Sequence, residues 1–561
     1  MRNVRSDICF PSQPCFTEIL PMSSSPAPLP SVSVARLLEW IREGGELALV
    51  DVREEGVIAR DAHLLLSVPL PLSQLELRVA RLLPRRAARV VVIDAGDGEL
   101  AARAARRLAE LGYADVQVLA GGVEAWQDAG LEVYTGSSAY SKAFGEFVEH
   151  RYGTPHLSVE DLHRRLARGD DLVVLDGRTA QEFEDFSIAG AHAVPNAELP
   201  LRVHSLLPSP DTLVVVNCAG RTRSIIGAQA LINAGLPNPV LSLRNGTMDW
   251  LMAGFELQHG QAAQLPAPPS QDSPALQHSV AHLSRRFAID WIDGATIGRF
   301  ETEREARSLY VFDVRTRAEY EAGHLPGSAW IEGGQLVQEL DKHVGTRHAR
   351  IVLVDDGSGV RAAITASWLL QLAWGEVHAH VLASEAATES GPEPLRLPAP
   401  LPVVDSWSVE RLVEALARGE AEVIDLAPSP RYEEGHIPGA AFAVRARLPH
   451  GLDSLRDTTW VLSSPDGRLA RLAAAELGAR HAKLVVLEGG TAAWLAQQRP
   501  LERGATRLLH DADDAVRSPY AAADPHAAFR DYLRWEIDLL DQLQRDTVVR
   551  FATFDEAASP A

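Results

Sequence analysis

"LVVLDGR" (172–178) runs four apolar residues into Asp176 and leaves through Gly177 and Arg178. A short apolar run closed by a turn signal reads as a buried strand. The same pattern returns as "LALVDVR" (47–53), "YVFDVR" (310–315) and "AEVIDLA" (421–427), about 110 to 140 residues apart. That period is the size of one small domain. Each run follows a segment with apolar residues at three- and four-residue steps, such as "SVARLLEWIREG" (33–44), "SVEDLHRRLARGD" (158–170) and "SVERLVEALARGE" (408–420). Each reads as an amphipathic helix.

A second strand-like run lies downstream of each aspartate: "RVVVIDAGDGE" (89–99), "TLVVVNCAGRTRS" (212–224), "RIVLVDDGSGVRA" (350–362) and "TWVLSSPDGRLA" (459–470). An Ala- and Leu-rich helical segment follows, then a third apolar run. Three copies close alike, as "VLAGGVEAW" (118–126), "VLSLRNGTMDW" (240–250) and "VLEGGTAAW" (486–494). The third copy trails off in "VLASEAATESGPEP" (381–394) and is incomplete at its end. Apolar strands alternating with helices call for an α/β fold, each copy an open parallel sheet covered by helices on both faces. Ligands in such sheets sit beyond the strand C-termini, where both the Asp-ending and Cys218-bearing runs stop.

The chain divides into a leader (1–30) expected to be disordered, a first domain (31–135), a linker helix with a second domain (136–260), a third domain (278–390), a fourth (403–503) and a helical tail (504–561). "LPAPPSQDSPALQ" (265–277) and "GPEPLRLPAPLP" (391–402) read as linkers by composition. The tail stretch 524–546 alternates apolar residues with charges at helical spacing. Its stripe requires burial, against its own domain or a second subunit.

With 561 residues the chain exceeds one hydrophobic core, as a multi-domain reading requires. A net charge of -21 opposes attraction to nucleic acid or an anionic membrane, though local arginines could still gather a small anion. No apolar run reaches the roughly 18 to 20 residues that span a bilayer, and residues 1–30 lack the order of a secretory signal. A cytoplasmic protein is expected. Two of its three cysteines, Cys9 and Cys15, lie in the leader, and Met22 is an alternative start. A disulfide framework is therefore not expected.

These elements resemble the rhodanese-like sulfurtransferases, in the type that carries four tandem rhodanese-like domains. The resemblance rests on the strand-end Asp-x-Arg pairs (Asp51 and Arg53, Asp176 and Arg178, Asp313 and Arg315), the "GHLPG" (323–327) and "GHIPG" (435–439) turns, the cysteine loop and the closing "GG...W" element. It covers nearly all of residues 31–503. Copy two departs from it with "SIAGAHAVPNAEL" in place of the turn.

The resemblance implies that Cys218 is the catalytic nucleophile, which takes a sulfane sulfur as a persulfide and passes it on. Ala219, Gly220, Arg221, Thr222, Arg223 and Ser224 would form the substrate-binding cradle, with Asp176, Arg178 and Arg244 in support. Amides and a helix start stabilise an anion there, and Arg221 and Arg223 add two charges that favour a solvent-facing thiolate. Four residues separate Cys218 from Arg223, whereas the related cysteine phosphatases place five before their arginine. Sulfur transfer is thereby favoured over a phosphatase or arsenate reductase. The loop also differs from the "C-G-S-G-V-T" kind of mercaptopyruvate sulfurtransferases. The expected donor is therefore thiosulfate or another small anionic sulfur compound, with a thiol, cyanide or a protein as acceptor.

Aligning the other copies places Ala95 with Leu100, Asp356 with Arg361, and Ser464 with Leu469 at the positions of Cys218 and Arg223. None carries sulfur, so only copy two should turn over. The alternative is a persulfide carrier or scaffold with little turnover. No cofactor or metal is expected. His324 and His436 read as structural residues of their turns, since no partner lies at ligand spacing.

Overall fold

The computed structural model describes residues 29–383, 386–448, 458–478 and 483–554. All of the leader but its last two residues, with Cys9 and Cys15, lies outside the described residues. Four five-stranded sheets, one per repeat, share a single topology. Numbered within a repeat, the strands lie in the order first, fifth, fourth, second, third. Their mutual pairing is parallel throughout. The fourth strand, which bears the loop of interest, is therefore central in each sheet.

Local chemistry sets the elements. The opening helices of repeats one, two and four start at Ser33, Ser158 and Ser408, whose hydroxyls accept from Arg36, Asp161 and Arg411 amides. Asp293 does the same in repeat three. Such caps satisfy donors that the helix leaves orphaned. In repeats one, two and four the fifth strand runs into a helix that carries the buried tryptophan Trp126, Trp250 or Trp494. Repeat three has no counterpart among the described residues, in keeping with its truncated sequence.

The repeats are not beads on a string. One hydrophobic core runs through the first three around the linker helix Ala139–Tyr152 and reaches the fourth at Tyr432, Phe442, Val444 and Ala446. Tyr140 and Phe144 on that helix are fully buried. The Tyr140 hydroxyl donates to the Leu372 carbonyl at 2.5 Å, and the Phe144 ring meets Trp368 edge to face, both in repeat three. Each such aromatic contributes about 2 to 3 kcal/mol by burial. The Pro-rich stretch at 265–277 ends inside a helix, Pro274–Phe287, with Pro274 in its first turn where no amide is needed.

The tail forms the helix Pro525–Arg545, capped by Asp524. Its buried stripe (Phe529, Leu533, Glu536, Leu539, Leu543) packs back onto this chain, across repeats one and two. Trp535 donates to the Thr135 carbonyl at 3.1 Å, and Tyr134 donates to Asp546 at 2.9 Å. Among the described residues no helix is long and apolar enough to cross a membrane.

His324 and His436 are buried, donate through Nδ1 to the Tyr320 and Tyr432 carbonyls, and stack on those tyrosines at 3.8 Å. Their role is structural. Repeat two keeps the same turn without histidine: Ser187 pairs with Gln258 as His324 pairs with Glu389, and Gly190 takes the same left-handed backbone as Gly327.

Candidate active site

Cys218 follows the central strand Leu213–Asn217 and precedes the loop helix Thr222–Asn233. Its placement is fixed from below and from the side. Asp176, at the end of the neighbouring strand, pairs in register with Asn217 and accepts from the Asn217 side chain at 2.9 Å. Arg178 grips both Asp176 oxygens at 2.9 and 2.8 Å and donates to the Phe186 carbonyl at 2.6 Å. Both residues are buried, and Arg53 with Asp51 and Arg315 with Asp313 repeat the arrangement. This pair ties the post-strand loop to the sheet, which is a supporting role.

From the side comes the closing helix Gly246–Met252. Its Thr247 and Met248 amides donate to the Cys218 and Ala219 carbonyls at 2.9 and 3.0 Å. Asn245 and Gly246 both adopt positive φ to allow this approach, and a Cβ on Gly246 would lie 2.1 Å from the Cys218 oxygen. Only glycine fits there. With these carbonyls drawn away, the amides of Ala219, Gly220 and Arg221 have no backbone acceptor among the described residues. Ser224 closes the loop by donating to the Arg221 carbonyl at 2.8 Å.

The two arginines do not stand free: each is paired with carboxylates. Arg223 forms a fork with Glu182 at 2.7 and 2.6 Å, and Glu182 is itself held by the capping box of Thr179. Burial pulls the Arg223 guanidinium down, but Glu182, Cys218 and Asp176 more than offset it and hold it above its ordinary value. Burial likewise pushes Glu182 up, while Arg223 and Thr179 bring it down to about 2. Arg221 is turned outward onto the linker helix, where Glu146 takes it at 2.7 Å through both oxygens and Glu149 at 2.5 Å. Asn245 accepts from it at 3.1 Å. Arg223 is thus the cation beside the sulfur, and Arg221 anchors the loop.

Arg244 is exposed and meets His156 on the first strand's edge. One expectation needs correction. Cys218 does not face solvent: it is 2 % exposed. What covers it lies outside the four repeats. Tyr520 donates to the Ala219 carbonyl at 3.1 Å and shares a hydrogen bond with Thr247 at 2.6 Å. The tail helix lays Tyr532, Leu533 and Glu536 against Gly220. Burial pushes the Tyr532 phenol well up, and the charges of Glu536 and Cys218 add to the effect.

Strand register also corrects the alignment of the other repeats. Asp51, Asp313 and Asp425 pair with Ile93, Val354 and Ser463 as Asp176 pairs with Asn217. The residues opposite Cys218 are therefore Asp94, Asp355 and Ser464, one position before Ala95 and Asp356. Arg361 does match Arg223, since it pairs with Glu319 of the Thr316 capping box, but its loop is one residue longer. None of the three positions holds sulfur. Among the described residues no group of three or more His, Cys, Asp or Glu side chains is arranged to hold a metal.

The sequence pattern missed Glu182, Glu146, Gly246, Tyr520, Tyr532 and Glu536. The spacing Thr179-x-x-Glu182 is a capping-box signal that could have found the first. The tail residues carry no such signal.

The rhodanese-like domain family matches at 33–129, 158–253, 297–384 and 408–497. A solved structure of thiosulfate sulfurtransferase from Pseudomonas aeruginosa is 42 % identical, covers 94 % of this chain and 100 % of its own, and superposes with a TM-score of 0.89. A sulfurtransferase of Allochromatium vinosum is 31 % identical over 98 residues, which are 18 % of this chain and 89 % of that protein. Four sheets of one topology, in-register Asp-x-Arg pairs and these likenesses agree: the chain belongs to the rhodanese-like family of sulfurtransferases.

Proposed function

We propose that repeat two is the working domain and that Cys218 accepts sulfur from thiosulfate or a related sulfane donor. The observation that carries this reading is positional. Of the four residues one past the Asp-paired position of a central strand, Cys218 alone is a thiol, and its loop leaves the amides of Ala219, Gly220 and Arg221 without backbone acceptors among the described residues. The Cys218 thiolate attacks the outer sulfur of the donor. The donor S–S bond breaks, its electron pair leaves with sulfite, and the enzyme holds Cys–S–S⁻. Cyanide or a thiolate, on a small molecule or a protein, then attacks the terminal sulfur and returns the thiolate. Loop amides, the helix N-terminus and Arg223 stabilise the anions along this path.

Thiosulfate treatment should add one sulfur atom to the peptide bearing Cys218, read by mass spectrometry. Cys218→Ser should abolish both this gain and repeated thiocyanate formation from thiosulfate and cyanide, with an unchanged melting curve. Activity near wild type in the variant would move the site elsewhere. Release of only one equivalent by the wild type would make the protein a carrier.

A further inference from the structure

The three sulfur-free repeats show what their loops do with a loop amide cradle. In repeat one the Asp94 carboxylate turns inward and accepts from the amides of Gly96, Gly98 and Ala101 at 3.1, 3.3 and 3.0 Å. In repeat three Asp355 accepts from Asp356 and Ala362 at 2.8 and 3.0 Å. In repeat four the Ser464 hydroxyl accepts from Ala470 at 3.3 Å. Each cradle is filled by its own residue.

Repeat two cannot do this with a thiol, and a carboxylate arrives from 314 residues away. Glu536 accepts from the Thr222 amide at 3.2 Å through Oε1 and also from the Thr222 hydroxyl. Its side chain is 0 % exposed, and its Oε2 has no hydrogen-bond partner. That oxygen faces Gly220, 3.4 Å from where a Cβ would stand. The nearest cation, Lys142, is 4.0 Å away. Around the mouth, Arg221, Arg223 and Lys142 face Glu146, Glu149, Glu182 and Glu536, so three cations meet four carboxylates before the thiolate is counted.

We infer that Glu536 is a specificity-determining residue for the sulfur donor: its carboxylate stands on the loop seat that a donor's anionic head would use, and so selects against dianionic donors in favour of those of lower charge. This rests on Cys218 being the sulfur acceptor. A dianion such as thiosulfate meets twice the repulsion of a monoanionic thiosulfonate and competes directly for the Thr222 amide. The buried, unpartnered oxygen marks the seat as held by a displaceable group rather than a fully satisfied structural one.

The experiment is steady-state sulfur transfer to cyanide by the full chain, with thiosulfate and with benzenethiosulfonate as donors. Glu536→Gln should lower KM for thiosulfate about tenfold and for benzenethiosulfonate about threefold, so that the preference between them shifts by roughly a factor of three. Glu536→Asp keeps the charge and should keep the wild-type preference. Should Glu536→Gln fold poorly, Glu536→Ser removes the same charge in a smaller side chain and should shift the preference the same way. Equal changes for both donors, or a preference that charge removal does not alter, would overturn the inference. Persulfide formation on wild-type Cys218 is judged separately, by mass.

Discussion

Arg223 and Arg361 occupy matching positions and should fail in opposite ways when cut to alanine. Arg361 is fully buried at the junction of repeats two and three, where it donates to Asp355 at 2.9 Å, Asp356 at 2.8 Å, Glu319 at 2.7 Å and, across the junction, Glu198 at 3.1 Å. Arg361→Ala leaves these carboxylates facing one another without a cation. Removing one partner of a buried ion pair costs about 3 to 5 kcal/mol. At roughly 1 °C per kcal/mol for a cooperative unit of this size the melting temperature should fall by about 3 to 5 °C. Burial, only partly offset by Arg361, already raises Asp355 to about 6. Without the arginine the cluster takes up protons more readily in the folded state, so the penalty should be larger at pH 8 than at pH 5. Turnover at 25 °C should fall far less than in Arg223→Ala, because Arg361 reaches the loop only indirectly, through Glu198 and the adjoining Asn196 that holds the Arg223 carbonyl. Arg223→Ala leaves Glu182, whose side chain is 37 % exposed and so partly screened, and its stability loss should be smaller. Its activity should fall about 100-fold, the usual loss for one group that stabilises charge in a transition state. Calorimetry and the thiosulfate–cyanide assay on both variants decide the matter. An unshifted melting temperature for Arg361→Ala, or wild-type turnover for Arg223→Ala, would refute the reasoning.

Gly246→Ala forces a Cβ into the Cys218 carbonyl at a backbone φ of 54°. It should cost about 1 to 3 kcal/mol and lower kcat at least about tenfold, since the loop must shift to admit it; wild-type kcat would show that the closing helix does not set the loop. Glu54, buried and raised to about 7 mainly by burial, with the Ser73 hydrogen bond partly offsetting, holds its proton more tightly folded than unfolded. Its contribution is therefore fully present below about pH 4.5 and lost as pH rises toward 7. Glu54→Gln should raise the melting temperature at pH 8, by at most about 3 kcal/mol of stability, and leave it unchanged at pH 4. Equal shifts at both pH values would show that Glu54 is not protonated on folding.

Three of the five strands in each repeat were legible because a buried parallel strand must be apolar throughout, whereas the two-residue strands are too short to carry a pattern and the strand order has no local signal. Asp176 and Arg178 were legible as a repeated pair two residues apart. The one-residue slip that put Ala95 and Asp356 opposite Cys218 arose because loop length was judged from the sequence, whereas register is set by backbone pairing with Asp51 and Asp313. The partners of the two arginines were hidden for a different reason. Glu182 lies 41 residues before Arg223, and Glu146 lies 75 before Arg221, on a helix that reads only as a linker. The cover over Cys218 was the least legible, because the tail's apolar stripe states that something must be buried without stating where.

The cover and the loop both lean on the sulfur-free repeats one and three. Loop geometry in repeat two is not self-contained: Asn196 donates to the Arg223 carbonyl at 2.9 Å, and Asn196 and Ala197 are pressed by Gly333 and Gly334 of repeat three, where a Cβ would come within 3.0 to 3.1 Å of them. Glu146, which fixes Arg221, sits on a helix whose other face is buried against Trp368 of repeat three. The tail that reaches the sulfur is in turn seated on repeat one through Thr135, Val133 and Tyr134. Preorganising a reactive loop requires its supports to be rigid. Here the supports come from repeats one and three, each with its own amide cradle filled by an aspartate, so their sheets keep the fold's packing surfaces while their loops are committed to structure.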